Sequence, residues 1–253
     1  KVIFTMAQSI KYICCCNTGK IRKINQDNFW VNRQYMYSEN FGLETPLKGI
    51  QLISERPAYG VFDGMGGEKC GEVASFLSVH TFSKCMKKVF SDPVLFLNEA
   101  CYKMNDAVCD FMLKYSVKSM GSTAAIVMFD RNTAIVCNLG DSGIFLLSNG
   151  KLTKVSTDHV DSGSAFSSKP MLTQFVGIPK EEYLIEPSIK TVPCNPGDRF
   201  LLCSDGVTDM VDLNEVAAII SMPDLDAAAT ALLEKALANG GVDNTTLILC
   251  EVQ

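Results

Sequence analysis

A chain of 253 residues with 47% hydrophobic side chains can build one sizeable core or two small ones. Its formal charge of -5 excludes the basic surplus of a general nucleic-acid binder, and no apolar run approaches the ~18 residues of a membrane span. Eleven cysteines suggest disulfides or zinc, but no Cys-x-x-Cys pair occurs and the two histidines, His80 and His159, stand far apart.

The opening "KVIFTMAQSIKY" lacks the apolar core of a secretory leader, and a first residue other than Met reads as a fragment. Cys14, Cys15 and Cys16 fall in a strand-like run, so alternate side chains should face opposite sides. Trp30 reads as core. Residues 37–56 read as a polar, Gly/Pro-punctuated insertion. "YGVF" then ends at Asp63, followed by Gly64, Gly66 and Gly67. Two readings stay open there: an ordinary turn, or a metal ligand that needs the backbone close.

From Glu72 a helical pattern runs through Val73, Phe76, Leu77, His80, Met86 and Phe90. After "SDP" a second runs through Leu97, Cys101, Met104, Val108, Phe111, Met112 and Tyr115. Short apolar runs follow, "TAAIVMF", "AIVCNLG" and "IFLLSNGKL", with "DRN" and "SNG" as hairpin turns. "YLIEPSIKTV", "DRFLLCSDG" and "NTTLILCEV" read as further strands, with a helical stretch over 214–239. Runs this apolar are covered on both faces, and tight hairpins make the sheets antiparallel. The expected fold is α+β, antiparallel sheets packed together with helices outside, in one domain over 1–253. The cysteines sit among apolar neighbours, so they read as reduced thiols of a cytoplasmic protein.

Four aspartates share one context. Asp63, Asp141, Asp205 and Asp243 each stand at the end of a strand-like run, mostly beside glycine: "FDGMGG", "LGDSG", "CSDGVTD", "GVDNTT". Carboxylates converging on one rim repel unless cations compensate. Oxygen ligands without a Cys/His set suit Mg²⁺ or Mn²⁺ rather than Zn²⁺.

The ordered set "RKINQDN", "FDGMGGEKCGEVAS", "GSTAAIVMF", "NLGDSG", "STDH", "LTQFVG", "LLCSDGVTDMV" and "VDNTTLILC" resembles the metal-dependent protein phosphatase family, particularly its bacterial serine/threonine phosphatases. The resemblance runs from Arg22 to Cys250. It implies a four-layer α-β-β-α sandwich with a binuclear Mn²⁺ or Mg²⁺ centre at one end. Carried over by position, Asp63 bridges the two metals, the Gly64 carbonyl joins it, Asp205 and Asp243 complete the first ion's shell, and Asp27 acts through bound waters. Asp141 with Asp205 matches a third, weaker metal position, and Arg22 matches the phosphate-binding arginine. The implied reaction is hydrolysis of phosphoserine and phosphothreonine monoesters by water activated between two cations. Implied partners are phosphoproteins and a cognate serine/threonine kinase; the chain is expected to act as a monomer, without nucleic acid or membrane.

The sequence departs from the family in places. Met65 and Glu68 stand where histidine is frequent, Gln26 where an acid is frequent, and Gly143 replaces an arginine. Glu68 near a helix start suits the dipole better than catalysis. His159 reads as structural. Only "VDSGSAFSSKPM" separates "STDH" from "LTQFVG", so a short mobile loop and an open site are expected at 160–171. A binding module without turnover is the first alternative, opposed by the intact Arg22, Asp63, Asp205 and Asp243. Another metal hydrolase, such as a phosphodiesterase, is the second.

Overall fold

The computed structural model describes residues 9–66, 70–161 and 170–253. Two six-stranded antiparallel sheets stack face to face. The N-terminal half supplies β1 (Ser9–Asn17), β2 (Asp27–Val31), β3 (Leu47–Leu52), β4 (Ala58–Met65), α1 (Gly71–Met86) and α2 (Pro93–Tyr115). A short β5 (Gly121–Ser122) leads into β6 (Ala124–Asp130), β7 (Thr133–Leu139), β8 (Gly143–Ser148) and β9 (Lys151–Lys154). Then come β10 (Ser188–Pro193), β11 (Arg199–Cys203), α3 (Asp205–Thr208), α4 (Leu213–Ile220), α5 (Leu225–Ala238) and β12 (Thr245–Val252). One sheet has the order β3-β1-β12-β11-β8-β9; the other is β10-β7-β6-β4-β2, with β5 on β4.

Strand alternation sorts the side chains into three cores and therefore four layers. Tyr12, Cys14 and Cys16 face Phe29, Tyr59 and Val61 between the sheets. Phe62, Ile126 and Met128, on the other face of their sheet, meet Phe82, Leu97 and Met104 of α1 and α2. Ile13 and Cys15 point outward to Ala228, Leu232 and the rest of α5. The consecutive cysteines thus split between two cores, as their spacing predicts. Burial pushes the Cys16 and Cys203 thiols up to about 12, so both are inert. All eleven cysteines are free thiols.

Several expectations change. Residues 37–56 are part of the architecture: β3 is the edge strand on β1, followed by a 3-10 turn at Ile53–Glu55. Gly49, part of that Gly/Pro punctuation, is a strand residue over which the Tyr12 ring lies; a Cβ there would come within 2.7 Å of Tyr12 Oη. The helical stretch over 214–239 is two helices, because Asp224 caps α5 by accepting from Asp226 N at 2.8 Å and Ala227 N at 2.9 Å. α1 stops at Met86, and Phe90 lies beyond it, stacked on Phe96 with centroids 4.0 Å apart. Tyr115, at the end of α2, is 57% exposed rather than core. Only the second half of "YLIEPSIKTV" is strand; Tyr183 and Leu184 are exposed.

"SNG" forms the expected hairpin turn, with Asn149 and Gly150 both left-handed (φ 51° and 75°). Trp30 is buried. Glu68 and most of the 160–171 segment lie outside the described residues. The ends of that segment pair: Val160 bridges Leu172, and Asp161 N donates to Met171 O at 2.9 Å.

Candidate metal centre

The acids meet because strands from both sheets end on the same side. Asp27 opens β2 directly opposite Asp63 on β4. Asp205 follows β11 and Asp243 precedes β12, and those strands pair antiparallel with Cys203 opposite Leu247. Asp141 lies in the turn after β7, which pairs with β6 beside β4.

Their proximity shows in their electrostatics. Burial raises the Asp63 carboxyl well above the ordinary carboxylate range, and Asp27, Asp205, Asp141 and Asp243 push it further the same way. Burial pushes Asp27 up to about 7; Thr246 and Ser204 restrain it by hydrogen bonding, while Asp205 and Asp243 raise it. Arg22 answers this negative charge: its Nη2 donates to Asp243 Oδ2 at 2.7 Å, and that bond, with Asp63 and Asp205 nearby, favours its charged form. Every acid and the arginine named from the sequence are therefore brought together.

Whether these groups fit divalent cations can be tested on the donors themselves. Among the described residues, no three Asp, Glu, His or Cys side chains close into a ligand cage by themselves. The set is nevertheless all oxygen and has unused capacity. Asp27 is buried, with Oδ2 accepting from Ser204 Oγ at 2.7 Å and Oδ1 without a hydrogen-bond partner. An unpaired buried carboxylate oxygen is costly unless water or a cation meets it. Hard oxygen donors of this kind fit Mg²⁺ or Mn²⁺.

The glycines have a structural explanation that the sequence did not yield. A Cβ on Gly64 would stand 2.0 Å from Gly71 O and 2.6 Å from Gln26 O, so the start of α1 and the strap before β2 close in on this backbone. Gly206, after Asp205, repeats the arrangement, with Asn244 O 2.0 Å from its would-be Cβ. Each Asp–Gly pair is thus an acid anchored by a backbone contact that no side chain could share.

Positioning residues were also missed. Thr123 Oγ1 accepts from Asp63 N at 2.9 Å and shares a hydrogen bond with Ser142 Oγ at 2.7 Å. Asn244 Oδ1 accepts from Gln26 N at 2.8 Å, while its Nδ2 donates to Thr18 O and Ile24 O at 2.8 and 3.0 Å. It thereby fixes the Arg22 segment to the Asp243 loop. The visible signal was an amide directly after an acid in "VDNTT".

The departures from the family pattern also find places. Gln26 Nε2 donates to Glu72 Oε2 at 3.3 Å. Phe145 occupies the space beside Gly143, where a Cβ would be 2.4 Å from the ring. His159 braces the turn before Asp141: its N donates to Gly140 O at 3.1 Å, and its Nδ1 accepts from Gly140 N at 3.3 Å. Burial lowers its pKa, consistent with a neutral acceptor.

Residues 52–239 match the model of the family described as protein phosphatase 2C. The chain is 30% identical over 256 residues to the serine/threonine protein phosphatase PstP of Mycobacterium tuberculosis, covering 96% of this chain and 45% of PstP. It thus spans about half the length of that relative. The serine/threonine phosphatase stp of Listeria welshimeri is 28% identical over 253 residues, with 92% of each chain covered. Among solved structures, the M. tuberculosis phosphatase PstP/Ppp superposes with a TM-score of 0.78 at 23% identity, covering 97% of this chain and 99% of that one. PppA of Pseudomonas aeruginosa superposes at 0.81 and 24% identity, with 98% and 100% covered. The PstP catalytic domain in complex with two manganese ions superposes at 0.76 and 24%, with 96% and 99% covered. The α+β sandwich is the fold of these phosphatases, and the chain belongs to the protein phosphatase 2C family.

Proposed function

We propose that this chain is a phosphoserine/phosphothreonine protein phosphatase acting through Mn²⁺ or Mg²⁺. The observation that carries the reading is the convergence of Asp27, Asp63, Asp141, Asp205 and Asp243 beside one arginine, with Asp27 Oδ1 left without a protein partner. Two ions would be held by Asp63, the Gly64 carbonyl, Asp205 and Asp243, with Asp27 behind them and a third, weaker ion at Asp141 and Asp205. Cations bound there would supply a water activated at neutral pH and positive charge to offset that of the phosphate.

Arg22 does the protein's share of substrate binding. Its planar fork matches two phosphate oxygens, and a dianion arriving at this rim competes with Asp243 for the guanidinium. Its side chain is half exposed, so it reaches an incoming phosphoprotein without rearrangement of the core. Met65, beside Gly64, cannot donate a proton, so the leaving hydroxyl takes its proton from elsewhere.

The reading extends to one catalytic domain over 1–253, working as a monomer because every site residue comes from one chain. Its partners are phosphoproteins and the kinase that phosphorylates them, a role in signal transduction. Eleven unpaired thiols suit the reducing cytoplasm. The test is turnover of phosphoserine and phosphothreonine peptides with Mn²⁺, Mg²⁺ or chelator in parallel. Metal-dependent release of phosphate is expected. Full activity in excess chelator would falsify the metal-dependent reading.

A further inference from the structure

The surface around Arg22 is apolar where a rim that bound phosphate alone would be polar. Ile21 is 67% exposed, Phe41 81%, Val242 50% and Ile24 44%. Backbone hydrogen bonds hold these residues in one place. Lys20 N donates to Gly241 O at 2.7 Å, Thr18 Oγ1 donates to Phe41 O at 2.9 Å, and Asn244 Nδ2 holds the carbonyls of Thr18 and Ile24. Residues 18–24 form a strap laid on the 241–244 loop, with Arg22 on Asp243. The fit is close: Gly19 is left-handed (φ 82°), and a Cβ on it would lie 2.3 Å from Asp243 O. Single exposed apolar side chains are ordinary, whereas a group of them on one rim marks a contact surface.

The strap is also cationic. Lys20 and Lys23 are exposed, and among the described residues neither has an ion-pair partner, while Arg22 is engaged by Asp243. This is a basic, apolar edge on a chain of net charge -5.

We infer that the strap reads the sequence around the phosphorylated residue. It takes an extended phosphopeptide with a large apolar side chain beside the phosphoserine or phosphothreonine and acidic residues beyond. The inference rests on the phosphatase reading above. A phosphate held at Arg22 leaves its peptide no path except across the surroundings of Arg22. At about 3.5 Å per extended residue, the immediate neighbours fall over Ile21, Ile24, Val242 and Phe41. Residues two or three further along reach Lys20 and Lys23, whose charge favours acids. Ile21, Ile24, Lys20 and Lys23 are therefore specificity-determining residues that take no part in the chemistry.

The experiment compares kcat/KM, relative to p-nitrophenyl phosphate, for three phosphoserine peptides: apolar–acidic flanks, serine flanks and lysine flanks. The wild-type chain with Mn²⁺ should prefer the first by about tenfold, mainly through KM. Ile21→Ser with Ile24→Ser should erase the apolar preference, and Lys20→Glu with Lys23→Glu should invert the acidic one. Thermal melts check that each variant folds. Equal turnover of all three peptides by the wild type, or a preference kept in both double variants, would overturn the inference.

If no phosphoester is turned over, the phosphatase reading fails, and the strap is judged by anisotropy of the fluorescein-labelled apolar–acidic phosphopeptide. A Kd unmoved by the four substitutions then overturns it. A dimer seen by sedimentation that dissociates on Ile21→Ser with Ile24→Ser would assign the patch to a second copy, and would equally overturn it.

Discussion

Strand β4 has two ends with opposite charge arrangements. Just before it, Arg56 donates through Nε to Asp130 Oδ1 at 3.1 Å and through Nη1 to Phe90 O at 2.8 Å, and its guanidinium lies 5.4 Å from the centre of the Phe90 ring. Cation, anion, carbonyl and ring satisfy one another there. At the other end, five residues past Ala58 and roughly 17 Å from it at ~3.3 Å per residue, Asp63 faces four more acids. Half-exposed Arg22 pairs with Asp243 there. An arrangement selected for stability would not retain that repulsion. On the proposed reading, bound divalent cations would offset it.

The sharpest way to break the comparison is Asp63→Asn. It should abolish phosphate release from p-nitrophenyl phosphate in the presence of Mn²⁺. In chelator, the same variant should melt above the wild type, because it removes a carboxyl whose ionised form is disfavoured first by burial and then by the neighbouring acids. Lost activity with a lowered metal-free melting temperature would mean that Asp63 supports the fold, and the contrast between the two ends would dissolve.

Arg22→Ala tests the arginine that is hydrogen-bonded to Asp243 at the acidic end. Loss of a charge-assisted pair worth about 1.5–3 kcal/mol predicts a ~10- to 100-fold fall in kcat/KM, shared between KM and kcat. Affinity for Mn²⁺ should not weaken, since the substitution frees Asp243 from its hydrogen bond. Kinetics identical to wild type would remove Arg22 from the site.

Asp27 gives the comparison a pH dependence. Its folded-state value of about 7, against 3.8 in the unfolded chain, means that folding favours its protonated form. Its penalty on the metal-free fold is absent below about 3.8, grows as pH rises and is complete above about 7. In chelator, Asp27→Asn should therefore stabilise the protein at pH 8 and change little at pH 4. Melting curves at the two pH values check the sign, and a larger gain at pH 4 would contradict it.

Most of the acidic end was legible in sequence because Asp63, Asp141 and Asp205 each follow an apolar strand, Asp243 precedes one and most sit beside glycine, a pattern confined to a few residues at a time; Asp27 and Arg22 came only from the resemblance to the family. What surrounds them was not legible. Asn244 organises the Arg22 strap through partners more than 200 positions away, and nothing in "VDNTT" states which carbonyls it holds. Antiparallel sheets with helices outside followed from run length and tight hairpins, and the four-layer order from the resemblance to the family. Strand β3 did not, because Gly49 looks like a loop residue until Tyr12 is placed over it. The break between α4 and α5 was written as "SMPD" but hidden by the apolar pattern on either side.

The smallest expected effect lies at the paired end. Arg56 carries two burdens: it satisfies Asp130 and the Phe90 carbonyl, and its backbone is left-handed with φ 50°. Arg56→Ala removes the first and keeps the second. Asp130 and Arg56 side chains are 22% and 29% exposed, so water screens much of the pair, and a loss of about 1–2 kcal/mol follows. For a chain of this size that is a fall of about 2–6 °C in Tm. Arg56→Gly removes the same contacts but relieves the left-handed strain, worth roughly 1 kcal/mol, so it should melt above the alanine variant. Turnover of p-nitrophenyl phosphate should stay within about twofold of wild type in both, because strand β4 insulates Asp63 from this end. Alanine and glycine variants that melt together would show that the left-handed residue carries no strain. A large loss of activity in either would show that the two ends are coupled, and that charge balance at one end helps maintain the imbalance at the other.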